Sequence, residues 1–142
     1  MTQIDFYILP QADPQARLAF VARLAEKILA SHHQLVIATA GTDQSNALSE
    51  QLWASRPVSF IAHQVIEPTT KANDPVLICA AEPPAYCHDV IINLTDGIIE
   101  KHFSRFHRLL EVVIQEPTCL AQSRSAYQFY KSRGYPIRSH NV

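Results

Sequence analysis

The chain has 142 residues, of which 47% are apolar and 18% are charged, and its formal net charge is −1. This length and composition predict one globular domain over residues 1–142 and exclude an intrinsically disordered chain. The sequence has no run of about 18 uncharged apolar residues and no charged-then-apolar N-terminus, so we expect neither a membrane span nor export, and therefore a cytoplasmic location.

Short apolar runs alternate with amphipathic segments along the chain. In chain order the pattern predicts a strand over 4–9, a helix from 14 to about 32, a strand over 35–39, a helix over 42–54, strands over 58–66, 76–80 and 90–94, a short helix over 100–107, a strand over 108–114 and a helix over 117–133. Asp13 is the predicted N-cap of the first helix and Pro14 is its first residue, whereas Gly134 is predicted to end the last helix. Helices that alternate with fully apolar strands predict a three-layer α/β/α sandwich around a largely parallel central sheet.

Glycine and cysteine usage restricts the chemistry. Only Gly41, Gly97 and Gly134 occur, and no two of them are close, so the fold is expected to be Rossmann-like without a nucleotide-binding glycine loop. The three cysteines are an odd number without framework spacing, which indicates reduced thiols rather than a disulfide scaffold.

Two groups of residues are candidates for small-molecule or metal chemistry. Thr42 and Asp43 follow a strand at a helix start, where they could hold a phosphate or simply cap the helix. Cys79, Cys87 and His88 are zinc-type ligands, but their spacing fits no known zinc motif and a fourth ligand is not evident. We therefore expect no metal and no cofactor, and keep a small-molecule or phosphate-binding enzyme that uses the C-terminal edge of the sheet as the alternative function.

The C-terminal third of the chain is basic. Residues 1–100 carry a balance of −6 and residues 101–142 a balance of +5, with no acidic residue after Glu116. Within the last helix, Arg124, Tyr127, Gln128 and Lys131 follow helical spacing and share one face. This face can bind an acidic peptide, because a guanidinium pairs with a carboxylate and a tyrosine ring covers an apolar side chain. An ordinary solvated helix face and direct DNA binding are the alternatives.

A second cluster lies where the second predicted helix leads into the third strand. It contains Trp53, which is the only tryptophan, together with Pro57 and Phe60. An aromatic-proline group at such a junction either fills the core or anchors a protein contact.

In order and spacing, several segments resemble the chi subunit of the bacterial DNA polymerase III clamp-loader complex. They are FY-x-L at the start, VIAT, LWASRPVSFIAH, IINL followed by FSRFHRLLEVV, and SRSAYQFYKSRGYP near the end. The resemblance spans nearly the whole chain.

The resemblance implies a non-catalytic adaptor that links the clamp loader, through the psi subunit, to the acidic C-terminal tail of single-stranded-DNA-binding protein during DNA replication. DNA would be contacted only indirectly. Arg124 and Tyr127 match the arginine and tyrosine of the family's tail pocket, Lys131 matches a basic residue there, and Gln128 stands where some relatives carry lysine. The resemblance also moves Trp53, Pro57 and Phe60 from the core to the psi-binding surface.

Overall fold

The computed structural model describes residues 2–31, 33–54, 63–66, 76–80, 87–95, 97–98 and 103–142, with the side chains of all of these except 51–54 and 63–66. The strands are β1 (Gln3–Ile8), β2 (Leu35–Thr39), β3 (His63–Ile66), β4 (Val76–Cys79), β5 (Val90–Leu94), β6 (Arg108–Val113) and β7 (Ile137–Asn141). The helices are α1 (Pro14–Ala30), α2 (Thr42–Ala54), α3 (Pro117–Ser132) and a 3-10 turn (Phe103–Arg105).

In this part of the chain the seven strands form one sheet in the order β3–β4–β2–β5–β6–β1–β7, and every neighbouring pair is parallel. α1 and α2 cover one face, where Val21 and Leu48 join the buried cluster around Ile37. α3 and the 3-10 turn cover the opposite face, where Phe103 and Tyr130 join the cluster around Ile91. The predicted three-layer α/β/α sandwich with a parallel central sheet is confirmed.

The helix boundaries follow local hydrogen bonding. The Asp13 carboxylate accepts from the Gln15 amide at 3.0 Å and Pro14 is the first residue of α1, as the sequence predicts. α3 begins in the same way, with a Glu116 cap before Pro117. α3 ends two residues before Gly134, whose φ of 78° is the left-handed conformation that favours glycine.

One strand was not predicted. β7 has the sequence IRSHN, which is polar and mostly exposed, so it lacks the apolar run by which the other strands are recognised. Parallel pairing with β1 over five residues holds it at the edge of the sheet. Of the predicted short helix over 100–107, residues 103–105 form the 3-10 turn, 106–107 are not helical, and 100–102 lie outside the described residues. Of the predicted third strand over 58–66, the last four residues form β3, and 58–62 lie outside the described residues.

Neighbouring side chains of β1 point to opposite faces of the sheet. Phe6 and Ile8 lie on the α3 side, and Tyr7 lies on the α1 side. β7 alternates in the same way: Ser139 lines a cleft beside α3, whereas His140 lines a cleft beside α1. The edge formed by β1 and β7 therefore borders a cleft on each face.

Candidate functional site

A cleft of about 410 Å³ lies between α3 and the edge of the sheet. We call it the α3 cleft. Its floor is apolar and comes from three strand residues, Phe6, Ile8 and Val113. Its helix wall is formed by Leu120, Ser123, Arg124 and Tyr127, and Ser139 of β7 closes the far side. The cleft thus combines an apolar floor with one cation and one exposed aromatic ring.

Tyr127 lies over the floor of this cleft. Its side chain is 38% exposed, and its ring centroid is 5.8 Å from that of Phe6, at an interplanar angle of 56°. Phe6 is only 3% exposed, so its packing fixes the position of the tyrosine ring. The Lys131 ammonium lies 6.0 Å from the Tyr127 centroid, at the outer limit of a cation–π contact. The ring can therefore pack against an apolar side chain that enters the cleft.

Arg124 lies one turn before Tyr127 on the same wall, and it is exposed. None of the ion pairs formed within the described ranges involves its guanidinium. The sequence also has no acidic residue beyond Glu116, so α3 and β7 contain no carboxylate to neutralise it. The guanidinium is available to a carboxylate from another molecule.

The four residues predicted for this face separate into two pairs. Arg124 and Tyr127 line the α3 cleft, whereas Gln128 and Lys131 are exposed on α3 beside it. Of these two, Lys131 contacts the cleft through the Tyr127 ring. Gln128 would meet a ligand only where the ligand extends beyond the cleft.

α3 is held on the sheet by a buried polar network that the sequence analysis missed. The hydroxyl of the fully buried Tyr130 donates to Glu111 Oε2 at 2.8 Å, and Asn93 Nδ2 donates to the same oxygen at 3.2 Å. Burial raises the pKa of the Glu111 carboxyl to about 7, against the opposing effect of these two hydrogen bonds. Burial and the nearby Glu111 carboxylate raise the pKa of Tyr130. A glutamate inside the apolar strand RLLEVV is the sequence signal that could have identified this network.

Comparison with known proteins adds to this geometry. A family model described as DNA polymerase III chi subunit, HolC, matches residues 1–138. The chain belongs to this family. It is 37% identical to the DNA polymerase III subunit chi of Pseudomonas aeruginosa over 145 residues, which cover 100% of this chain and 98% of that protein. It is 24% identical to the DNA polymerase III subunit chi of Haemophilus influenzae, over 97% of this chain and 96% of that protein.

These comparisons confirm the resemblance to chi and support a role as a DNA polymerase III chi subunit in DNA replication. All the segments that carry the resemblance lie inside the matched range, including LWASRPVSFIAH and SRSAYQFYKSRGYP. The second of these supplies Arg124 and Tyr127 of the α3 cleft.

The residues predicted to bind psi fall largely outside the described part of this chi-family chain. Trp53 lies in α2, but its side chain is not among those described. Pro57 and Phe60 lie outside the described residues altogether. The psi-binding surface therefore stays a prediction.

At the alternative site, the carboxyl end of β2, Thr42 and Asp43 are exposed at the start of α2, and neighbouring polar groups bond to one another. The Thr39 and Ser45 hydroxyls are 2.6 Å apart, and the Ala40 amide donates to Gln44 Oε1 at 2.7 Å. A cavity lined by Thr95, Glu111 and neighbouring residues has a volume of only about 20 Å³, which is room for one water molecule.

The cysteine and histidine cluster has no ligand geometry that we can assign. Cys79 and Cys87 are buried, and burial raises the pKa of Cys79 to about 11 and also raises the pKa of Cys87, so both thiols are protonated at neutral pH. Over the described ranges no three His, Cys, Asp or Glu side chains, including His88, are placed to hold a metal ion. Over the same ranges no helix is long and apolar enough to cross a membrane.

Proposed function

We propose that this chi-family chain is a non-catalytic adaptor of the DNA polymerase III holoenzyme, and that its α3 cleft captures the acidic C-terminal tail of single-stranded-DNA-binding protein. A second surface around Trp53, Pro57 and Phe60 would bind the psi subunit and so link the clamp loader to that tail. DNA is reached only through these partners, and the adaptor works in the cytoplasm at the replisome.

The observation that carries the proposal is the open α3 cleft. Arg124 has no carboxylate partner in the described residues. It lies beside the apolar floor of the cleft, where a further side chain can pack next to Tyr127. A tail that ends in phenylalanine presents a terminal carboxylate and an aromatic ring on the same residue. In our proposal the carboxylate pairs with Arg124, and the ring packs against the exposed side of Tyr127 over the apolar floor of the cleft.

The acidic residues upstream of that phenylalanine would meet the basic surface of α3 outside the cleft. Lys131 and Arg133 are exposed there, and Gln128 is polar but uncharged. Association should therefore be faster at low salt and weaker at high salt, because exposed charges are screened. For a short peptide we expect roughly micromolar affinity, about 8 kcal/mol.

Titration calorimetry with a synthetic acidic peptide ending in phenylalanine tests the proposal. Arg124→Glu should weaken binding by roughly a hundredfold, because it removes a charge-assisted pair and adds repulsion. Arg133→Glu is the matched control for the general loss of positive charge, because it makes the same charge change on an exposed residue outside the cleft, whose guanidinium lies 4.3 Å from the Phe129 ring centroid. It should weaken binding much less than Arg124→Glu, since it reduces only the screened attraction of the tail's acidic residues. Equal losses for the two variants, or no loss for Arg124→Glu, would show that the cleft is not the binding site.

The psi surface needs its own experiment. Trp53→Ala should abolish co-purification with psi and leave tail-peptide affinity unchanged. Retained psi binding would remove the assignment of Trp53, Pro57 and Phe60.

A further inference from the structure

The last strand of the sheet has an edge that faces away from β1. β7 pairs only with β1 within the described chain, and it ends the strand order. The Ile4 amide donates to the Pro136 carbonyl at 2.9 Å, and the Val142 amide donates to the Ile8 carbonyl at 3.0 Å. Because successive residues of a strand direct their hydrogen-bonding groups to alternate edges, even-numbered residues of β7 face β1. The amides of residues 137, 139 and 141 therefore point outward.

This edge lies between two clefts. On one face Ser139 borders the α3 cleft. On the other face His140 borders a cleft of about 620 Å³ beside α1, which we call the α1 cleft. Phe20, Arg23 and Lys27 of α1 form its wall. Side chains of any strand added to β7 would alternate between these two faces.

Aromatic rings line the α1 cleft. The Tyr7 ring lies 4.8 Å from the His140 ring at 21°, and 5.5 Å from the Phe20 ring. Arg23 and Lys27 provide two cations at its rim, and Glu26 provides one carboxylate that also has a partner of its own. Both clefts thus offer an aromatic surface with an excess of positive charge.

We propose that an extended acidic peptide adds to β7 as an eighth strand, with its alternate side chains entering the α3 cleft and the α1 cleft. This inference rests on the proposed function, because the peptide is the tail that the α3 cleft captures. Backbone hydrogen bonds to β7 supply affinity that does not depend on sequence, and the two clefts read alternate residues.

Charge decides between this occupant and a second copy of the chain. β7 carries Arg138 and no acidic residue, and α3 beside it is basic. Pairing two copies of β7 would bring two arginines together, which is unfavourable and is a common protection of edge strands. An acidic strand would instead place its carboxylates beside Arg138 and the basic surface of α3, which is favourable.

Amide hydrogen exchange on the full ¹⁵N-labelled chain, with and without a synthetic acidic peptide of about ten residues ending in phenylalanine, tests the inference. Exchange at Ile137, Ser139 and Asn141 should slow by roughly tenfold or more on binding, while Arg138 and His140, which already bond to β1, should change little. If the peptide changes the NMR chemical shifts of Arg124 and Tyr127 but does not slow hydrogen exchange at the three amides, the added strand is overturned and tail capture by the α3 cleft still holds. No binding at all would overturn both.

Alternate N-methylation of the peptide is the matched control. Methyl groups on the amides that face β7 should weaken binding roughly tenfold, and methyl groups on the other set should be tolerated. Equal effects of the two sets would contradict strand addition. If hydrogen exchange at the three amides slows as the protein concentration rises without peptide, a second copy of the chain occupies the edge. That result would also overturn the proposal.

Discussion

Replacing Glu111 with glutamine should change how stability depends on pH. Burial raises the pKa of this carboxyl from 4.5 to about 7, so the folded state binds its proton more tightly than the unfolded state does. The stabilisation is fully present below pH 4.5 and is lost as the pH rises through 7. Between pH 5 and pH 8 the difference corresponds to roughly 2–3 kcal/mol of unfolding free energy. Glutamine keeps an oxygen that accepts from Tyr130 and does not titrate, so the contribution of residue 111 to the pH dependence should vanish.

Urea unfolding followed by circular dichroism at several pH values measures this effect. Subtracting the Glu111→Gln profile from the wild-type profile removes the contribution of all other titrating groups. Glu50→Gln is the control, because Glu50 is an exposed carboxylate on α2, and this variant should keep the wild-type slope. Parallel profiles for wild type and Glu111→Gln would refute the reasoning that burial of Glu111 sets the slope.

Two further changes test the anchoring and the ending of α3. Tyr130→Phe removes a donor from the buried carboxylate, so we expect a loss of about 1–3 kcal/mol at pH 8 and a smaller loss at pH 5, where Glu111 is protonated; urea unfolding at both pH values checks this. Gly134→Ala should cost about 1 kcal/mol in the same assay, because φ is 78° and an added Cβ meets no atom of the described residues within 4 Å, so backbone strain acts. Gly97→Ala, where an added Cβ likewise meets none of the described atoms and φ lies outside the left-handed range, should be close to neutral.

Most of the fold could be predicted from periodicity, because strands buried on both faces and helices with one apolar face leave distinct patterns. β2 and β5 are buried at every residue, and their predicted bounds match the structure. β7 could not be found in this way, since an exposed edge strand buries too little to require apolar residues. Strand order was not predicted either, because pairing of β1 with β6 and β7 joins residues more than a hundred positions apart.

Part of the candidate site could also be predicted from periodicity. Helical spacing alone placed Arg124 and Tyr127 on one exposed face of α3. Spacing could not show that Phe6 and Ser139 complete the α3 cleft, because they come from the neighbouring strands β1 and β7, which lie near opposite ends of the chain. The role of Glu111 likewise depends on a tertiary partner, Tyr130, which is 19 residues away.

The position of the α3 cleft follows from the connection between β6 and β7. α3 leaves β6 and returns to β7 on the far side of β1, so it must cross β1, and the Phe6 ring contacts both Tyr127 and Tyr130 beneath it. β7 remains beyond the helix, and a gap floored by β1 lies between them. The same connection contains no acidic residue after Glu116, the N-cap of α3. One crossover therefore brings together an aromatic floor, a cationic wall and a strand edge. A ligand that uses all three must carry a ring, a carboxylate and an extended backbone, which is the chemistry of a peptide terminus rather than of a folded surface.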